Sequence, residues 1–243
     1  MVQTKFKVVV QCPNVGALAA ADGEGIGLIQ DIAFVCTGTT GSPVGISVAR
    51  RAGVVLDRCA VFGFTINLQA REQAQITVTN SSLAYSASSG VSLLLGGFIR
   101  ASTALVLYSG ANGIDANHSE FSSDAGLRVK GSAGTGVALA SVSRGLVSGG
   151  NVSGNTGPGI TLAAACAIEV AASTVSGGAG QVGLLVSDGS TALLNALTAA
   201  GDATQRSFTA QRASILTTTG TQTGSPVFLP AQGTTGNSGS WTF

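Results

Sequence analysis

The chain has 243 residues, of which 44% are hydrophobic and only 9% are charged, with 12 basic residues against 11 acidic ones. This near balance provides no basic stripe for nucleic acid and no acidic tail, so composition argues against a partner held mainly by charge. The 35 glycines and only five prolines argue against collagen and against ordinary helical bundles.

The N-terminal segment MVQTKFKVVVQCP contains two lysines followed by only three valines, so we expect no secretory signal peptide. No apolar stretch reaches the ~18 residues that a membrane span needs, and we expect none. The four cysteines show no CxxC spacing and are accompanied by a single histidine. We therefore expect buried free thiols rather than disulfides, with no metal and no cofactor.

Two short patterns recur along the chain. Eight-residue stretches with apolar or small residues at the first, third, sixth and eighth positions begin at Ile32, Val54, Ile76, Phe98, Ile114, Val137, Ile168 and Ala192. Glycine followed by apolar, any and apolar residues begins at Gly45, Gly63, Gly90, Gly126, Gly159 and Gly183. Period-2 alternation indicates strands, and no copy is long enough to bury its own apolar face. The sequence therefore predicts an all-β solenoid, a parallel β-helix of about seven or eight coils.

The repeat divides the chain into three segments. We expect an N-terminal cap or attachment segment over 1–25, the parallel β-helix over 26–203 and a Thr/Gly-rich tail over 204–243. The tail carries Phe228, Trp241 and Phe243, so it either frays as a chain end or docks on a neighbouring subunit.

Two irregularities interrupt the repeat. Arg100 falls on an inward position of the eight-residue template, which indicates that one of the two coils near Phe98 is misassigned. A 31-residue step before Ile168 predicts a loop or an additional strand pair within SGGNVSGNTGPG.

Strings such as GITLAAACAIEVAASTVSGGAGQVGLLVSDGS resemble the right-handed parallel β-helix of the pectin-lyase-like superfamily. The low-charge, Gly/Ala/Ser/Thr-rich composition is most similar to bacteriophage tail fibres and tailspikes. The resemblance covers about residues 27–200. It implies homotrimers on the virion surface that contact other virion proteins and recognise host surface glycans, sometimes cleaving them. Fold by itself does not determine function, because this scaffold hosts lyases, hydrolases, adhesins and inert spacers.

The stretch NGIDANHSEF, residues 112–121, contains the only histidine of the chain. In the coil template Asp115, His118 and Glu120 lie outward or at a corner, where any coil places solvated groups. The template aligns Glu120 with Ala104 and Ser143, and Asp115 with Ile99 and Ala138, so no ladder of carboxylates forms.

A catalytic interpretation uses the same region. If the protein is a polysaccharide depolymerase, its candidate catalytic residues are Asp115, His118, Glu120 and Asp124, with Arg100 or Arg128 gripping an acidic sugar. Aromatic platforms for sugars are scarce, because Trp241, Tyr85 and Tyr108 are the only tryptophan and tyrosines. Glycan binding by this chain is therefore expected to be weak or to occur at a subunit boundary.

Attachment, rather than catalysis, is the leading hypothesis. We expect a trimeric β-helical appendage on the virion surface, made in the host cytoplasm, and a capsid decoration protein is a close variant. The depolymerase is the second hypothesis. An ice-binding solenoid is the third, suggested by Thr77 and Thr79, although this Thr-x-Thr unit does not repeat in adjoining coils.

Overall fold

The computed structural model describes residues 7–23, 25–38, 41–200, 208–219, 223–225 and 240–242, and within them the chain forms strands and no helix. The first ten strands are β1 (Val8–Cys12), β2 (Leu18–Ala20), β3 (Gly25–Gln30), β4 (Ile32–Cys36), β5 (Val44–Val48), β6 (Gly53–Asp57), β7 (Ala60–Phe62), β8 (Ile66–Arg71), β9 (Gln75–Thr79) and β10 (Ser82–Ala84). The next ten are β11 (Val91–Leu94), β12 (Phe98–Ser102), β13 (Leu105–Leu107), β14 (Ile114–Asn117), β15 (Glu120–Ser123), β16 (Arg128–Lys130), β17 (Val137–Ala140), β18 (Arg144–Ser148), β19 (Asn151–Ser153) and β20 (Ile160–Leu162). The last are β21 (Ala167–Ala171), β22 (Thr174–Ser176), β23 (Leu184–Val186), β24 (Thr191–Asn195), β25 (Thr198–Ala200), β26 (Phe208–Ala210), β27 (Ile215–Thr219), β28 (Thr223–Ser225) and β29 (Ser240–Thr242).

Every third strand belongs to the same parallel sheet. Sheet I runs from β1 through β4 and β7 to β28, sheet II from β2 to β26, and sheet III from β3 through β6 and β9 to β27 and β29. Each coil thus contributes one strand to each sheet, which defines a right-handed parallel β-helix and confirms the predicted class. Sheet II has nine strands, so the stack has about nine coils rather than seven or eight.

The predicted template was wrong in register because it merged two different corners of the coil. The copies beginning at Val54 and Ile76 run from sheet III into sheet I, whereas those at Ile114 and Val137 run from sheet II into sheet III. Because the template mixes these two corners, its copies begin at uneven intervals along the chain. The segment SGGNVSGNTGPG holds β19 and an ordinary corner, not an extra loop.

The template was also one residue out of phase around Phe98. Ile99 pairs with Ile76 and Phe121 and is buried, so Arg100 points outward and its side chain is 58% exposed. Phe98, which the template placed inward as the first residue of its copy, belongs to the outward row with Gln75 and Glu120.

The glycine pattern has a packing explanation. Gly45, Gly90, Gly113, Gly136 and Gly159 occupy one column at the start of the sheet II strands, with Asn67 in the coil between Gly45 and Gly90. A Cβ atom at Gly113 would collide with Val129 Cγ1 and with the carbonyl oxygen of Gly136, and the other members meet the equivalent obstacles. Glycine therefore lets the inward valines of sheet I approach the backbone of sheet II.

The described residues of the two predicted end segments form strands of the stack. β1 and β2, within 1–25, pair in parallel with β4 and β5. In the tail, β27 pairs with β24 and with β29. Phe228 and Phe243 lie outside the described residues, as does the side chain of Trp241, so the division into three segments and the docking of the tail stay predictions.

Candidate functional site

A groove of about 610 Å³ lies on the outer face of sheet III. It crosses β15, β18, β21, β24 and β27, and two outward rows of side chains line it. The first row is Glu120, Arg144, Ala167, Thr191 and Ile215, and the second is Ser122, Leu146, Glu169, Leu193 and Thr217. Because parallel strands repeat every ~4.8 Å, these five strands offer a surface roughly 20 Å long.

Three exposed charged side chains lie along this groove. Glu120 and Arg144 are cross-strand neighbours, and Glu169 follows one strand beyond Arg144 in the second row. Among the described residues, none of the three forms an ion pair. The groove therefore combines charged side chains of both signs, threonine hydroxyls and apolar leucine side chains, a mixture that suits a polar polymer with apolar ring faces.

Asp115 lies on sheet II, away from this groove. It pairs with Ser92 and Ala138, so the predicted alignment with Ala138 was right and that with Ile99 was wrong. Burial raises the pKa of the Asp115 carboxyl group, and a hydrogen bond from the side chain of Asn112 opposes that rise.

His118 occupies the corner between sheets II and III. Its φ of 48° turns the chain through the left-handed region, and its ring is exposed. His118 Nδ1 lies 2.7 Å from Asn117 Oδ1. His118 thus forms a corner of the coil, and its ring nitrogen contacts the side-chain amide of Asn117.

Glu120 is the first residue of β15 in sheet III, and Asp124 directly follows this strand. The two carboxylates have different surroundings. Glu120 pairs with Phe98 and Arg144, not with Ala104 and Ser143 as predicted. Asp124 is bound by Arg100 at 2.9 Å. The four predicted acid–base residues are therefore spread over sheet II, a corner and sheet III, and Glu120 alone of them lines the groove. Their catalytic roles stay predictions.

Sheet I carries a second group of side chains that sequence reasoning did not bring together. Tyr85 and Tyr108 stack in adjacent coils, with ring centroids 5.1 Å apart and an angle of 15° between the rings. They are 63% and 48% exposed. Their spacing of 23 residues equals one coil, and this was the signal that could have identified the pair. Arg128 and Lys130 lie on β16, in the coil that follows Tyr108.

No group of histidine, cysteine, aspartate and glutamate side chains within the described residues could hold a metal ion. The described part of the chain also includes no helix that is long and apolar enough to cross a membrane. All four cysteines are free thiols, and Cys36 is the one that is not fully buried.

No family model matches this chain, and no curated protein matches it. The chain is similar in fold to the pectate lyase Pel9A, with 13% identity over 82% of this chain, 62% of the enzyme and a TM-score of 0.44. It is also similar to the catalytic domain of Agl-KA, with 9% identity over 88% of this chain, 58% of that domain and a TM-score of 0.47. A third similar structure is tailspike protein 2 of the Escherichia coli O157:H7 bacteriophage CAB120, with 11% identity over 86% of this chain, 38% of the tailspike and a TM-score of 0.47. The chain thus spans less than two thirds of each of these three structures, and the similarity concerns the parallel β-helix.

Proposed function

We propose that this chain is a structural and host-attachment component of a phage or phage-like particle, a trimeric β-helical appendage whose sheet III groove binds a host surface glycan. The groove is the observation that carries this proposal. It crosses five coils, is open to solvent and presents charged, hydroxyl and apolar side chains in two straight rows. Such a surface matches an extended polymer better than a compact small molecule.

The proposed trimer rests on exposed apolar side chains. Leu28, Leu95 and Val142 are 60%, 63% and 64% exposed, and the chain as a whole carries few charges. Subunits packed side by side around an axis would remove such side chains from water. The mass of the purified protein by light scattering after size-exclusion chromatography is expected to be three times 23.8 kDa. A monomer would contradict the trimer.

Glycan binding is tested separately. The native protein is immobilised and probed with a panel of bacterial surface polysaccharides, and the Leu146→Asp/Leu193→Asp variant is compared with it. Both leucines line the groove and face outward, so the variant is expected to fold. Binding by the native protein that is lost in the variant supports the groove, whereas equal binding by both proteins contradicts it.

A capsid decoration protein is the close variant of this proposal, because the same solenoid suits a capsid or a tail. Gold-labelled antibodies against the chain, applied to intact particles, distinguish the two locations. Label at the tail supports the tail fibre or tailspike, and label distributed over the head supports the decoration protein.

A polysaccharide depolymerase is the second candidate, favoured by one observation: Glu120 and Glu169 line the same groove. They are two strands apart and offset by two residues, so their Cα atoms are roughly 12 Å apart. Side chains that lean together could reach the ~6.5–9.5 Å carboxyl separation of inverting enzymes. Release of reducing ends by the native protein, lost in both Glu120→Gln and Glu169→Gln, would support cleavage. Activity that persists in both variants would contradict it.

A further inference from the structure

Arg128 and Lys130 form a small cationic site on the outer face of sheet I. They are two residues apart on β16, so they point to the same side and lie about 7 Å apart at the backbone. Both are exposed, and their neighbours in the sheet are Leu105 and Leu107 on one side and Asn151 and Ser153 on the other. No carboxylate of the described residues forms an ion pair with either cation.

This lack of a partner distinguishes the two cations from most others in the described chain. Lys7, Arg50, Arg58, Arg100 and Arg212 each form an ion pair with an aspartate. Of the remaining described cations without an ion pair, Arg51 follows the paired Arg50 and donates to Gln73 Oε1 at 2.9 Å, and Arg71 and Arg144 lie on separate strands. The overall charge balance of the sequence therefore conceals one place where two adjacent positive charges are left uncompensated.

The stacked tyrosines adjoin this cationic site. Tyr108 directly follows Leu107, and a Cβ atom at Gly131 would lie 2.6 Å from Tyr108 Cδ1, so the ring covers the glycine that follows Lys130. The side chain of Lys130 in turn lies against Gly154 in the next coil. Aromatic surface and positive charge are thus presented side by side.

Tyr85 and Tyr108 lie at the corner that follows the sheet I strands. The same corner position is glycine in neighbouring coils, with φ of 77° at Gly63, 76° at Gly131 and 64° at Gly154. Tyr85 and Tyr108 adopt φ of 55° and 54° there, although a bulky side chain makes this conformation unfavourable. Left-handed corners recur throughout this fold, for example at Leu95, Thr103 and Val142, so what distinguishes this corner is that its two side chains are aromatic, exposed and stacked on each other.

We propose that this face of sheet I binds an acidic sugar unit of the host polysaccharide, with the carboxylate held by Arg128 and Lys130 and the apolar face of the ring placed against Tyr108. This inference adds a second glycan contact, outside the sheet III groove, and it rests on the proposed attachment function. Arginine binds carboxylates through two parallel N–H donors, and lysine adds a second positive charge. Ser153 Oγ donates to Asn151 Oδ1 at 2.6 Å, which orients an amide whose NH₂ group can donate to sugar hydroxyls.

An acidic sugar fits this face better than a nucleic acid. A nucleic acid presents a regular row of phosphates and needs a stripe of cations, whereas this face has two. The strands beyond β16 place Asn151, Ser153 and Thr174 in the same rows, without further cations. The site can therefore neutralise one negative group that lies next to a sugar ring.

The test is isothermal titration of the full chain, at low ionic strength, with an oligogalacturonate and with a neutral dextrin of the same length. We expect the chain to bind the oligogalacturonate but not the dextrin. Added salt is expected to weaken this binding. The Arg128→Gln/Lys130→Gln variant is expected to bind it at least about tenfold more weakly, because two charge-assisted contacts are lost. Arg71→Gln is the matched control, since Arg71 is an exposed cation on sheet II without an ion pair, and it is expected to leave binding unchanged.

Tyr108→Gly adds a test that is insensitive to misfolding. Glycine already occupies this corner in the next coil, at Gly131, so the variant is expected to retain the circular dichroism spectrum of the native protein while it binds the oligogalacturonate more weakly. Equal binding of the two oligosaccharides, or undiminished binding by the double variant, overturns the inference. Tighter binding of a single-stranded oligonucleotide than of the oligogalacturonate also overturns it.

The two proposals fail in different ways. If the native trimer binds a host polysaccharide and the double variant binds it equally well, the sheet I site is wrong and the attachment function stands. A monomer that binds no surface polysaccharide, even if it binds the oligogalacturonate, contradicts the attachment function itself.

Discussion

The first coils and the middle coils of this β-helix are held together by different means. In the first coils the ladder advances unevenly, by 24 residues from Val8 to Ile32, by 28 from Leu18 to Ile46 and by 27 from Ala33 to Ala60. In the middle coils sheet II advances by 23 residues at every step, through Leu68, Val91, Ile114, Val137 and Ile160. The middle coils thus repeat almost identically, whereas the first coils must accommodate extra residues.

Ion pairs follow the irregular spacing. Lys7, Asp31, Asp57 and Arg58 form one network, in which Arg58 bridges Asp31 and Asp57, each at 2.7 Å. A second network joins Asp22, Arg50 and Glu72. Between residues 73 and 187 the described chain has a single ion pair, Arg100 with Asp124.

The middle coils use small residues instead. The glycine column allows close approach of sheets I and II. At other corners serine hydroxyls accept hydrogen bonds from backbone amides, as Ser143 Oγ does from Ser119 N at 3.2 Å and Ser173 Oγ does from Gly150 N at 3.0 Å. A strict repeat lets each coil cover the next with backbone hydrogen bonds and close packing, so side-chain crosslinks are needed mainly where the repeat is disturbed.

The largest expected effect comes from filling the glycine column. Gly113→Ala is expected to lower the free energy of unfolding by about 3 kcal/mol, because the added methyl group has no space beside Val129 and the backbone of Gly136. The matched control in the first coils is Gly25→Ala, where nothing lies within 4 Å of the new atom. Urea unfolding of the two variants measures the difference, and equal stabilities would contradict the packing role of the column.

The ion pairs of Asp31 in the first coils are expected to lose their stabilising effect at acid pH. Hydrogen bonds from Arg58 and Lys7 hold the pKa of Asp31 at about 2. Because this value lies below that of an unfolded aspartate, the stabilisation is complete above about pH 4 and is lost as the pH falls towards 2. Asp31→Asn is expected to lower the melting temperature at neutral pH and to flatten its decline in that acid range. Melting followed by circular dichroism across this range checks both effects, and a variant that melts like the native protein at every pH would contradict them.

Asp115 is expected to behave in the opposite way, because it belongs to a middle coil that holds its carboxylate without a cation. Burial raises its pKa, so the ionised form opposes folding at neutral pH and this penalty disappears as the pH falls through the raised value. Asp115→Asn is expected to raise the melting temperature slightly at neutral pH, with no gain near pH 4. A lower melting temperature at neutral pH would show that the carboxylate has a stabilising partner.

The smallest expected effect concerns the thiols. Burial raises the pKa of Cys12, Cys59 and Cys166, whereas Cys36 is partly exposed. We expect iodoacetamide to modify Cys36 first and the other three only on unfolding. Mass spectrometry of a labelling time course checks this order. Early labelling of Cys166 would indicate that the middle coils open more readily than the first coils.

Much of the architecture was predictable because the residues that form each coil of a solenoid are close together in the sequence. Alternating apolar residues indicated strands, and the spacing of about 23 residues indicated coils, since each coil contacts mainly its neighbours. Asp57 and Arg58 are adjacent in the sequence, and their side chains form an ion pair at 2.7 Å. Asp31 was missed as their partner, because it lies 27 residues from Arg58 and only the irregular first coil brings it there.

The sequence by itself determined the class of fold, the inward apolar residues of most coils and the free state of the cysteines. The tertiary structure alone decided which corner each repeat turns, and therefore which outward residues become neighbours. A shift of one residue in a strand reverses every side chain, so the register moved Arg100 and Phe98 outward and placed Glu120 beside Arg144. Stacking likewise brought Tyr85 onto Tyr108 next to Arg128 and Lys130, since proximity between coils depends on exact coil length and not on local pattern.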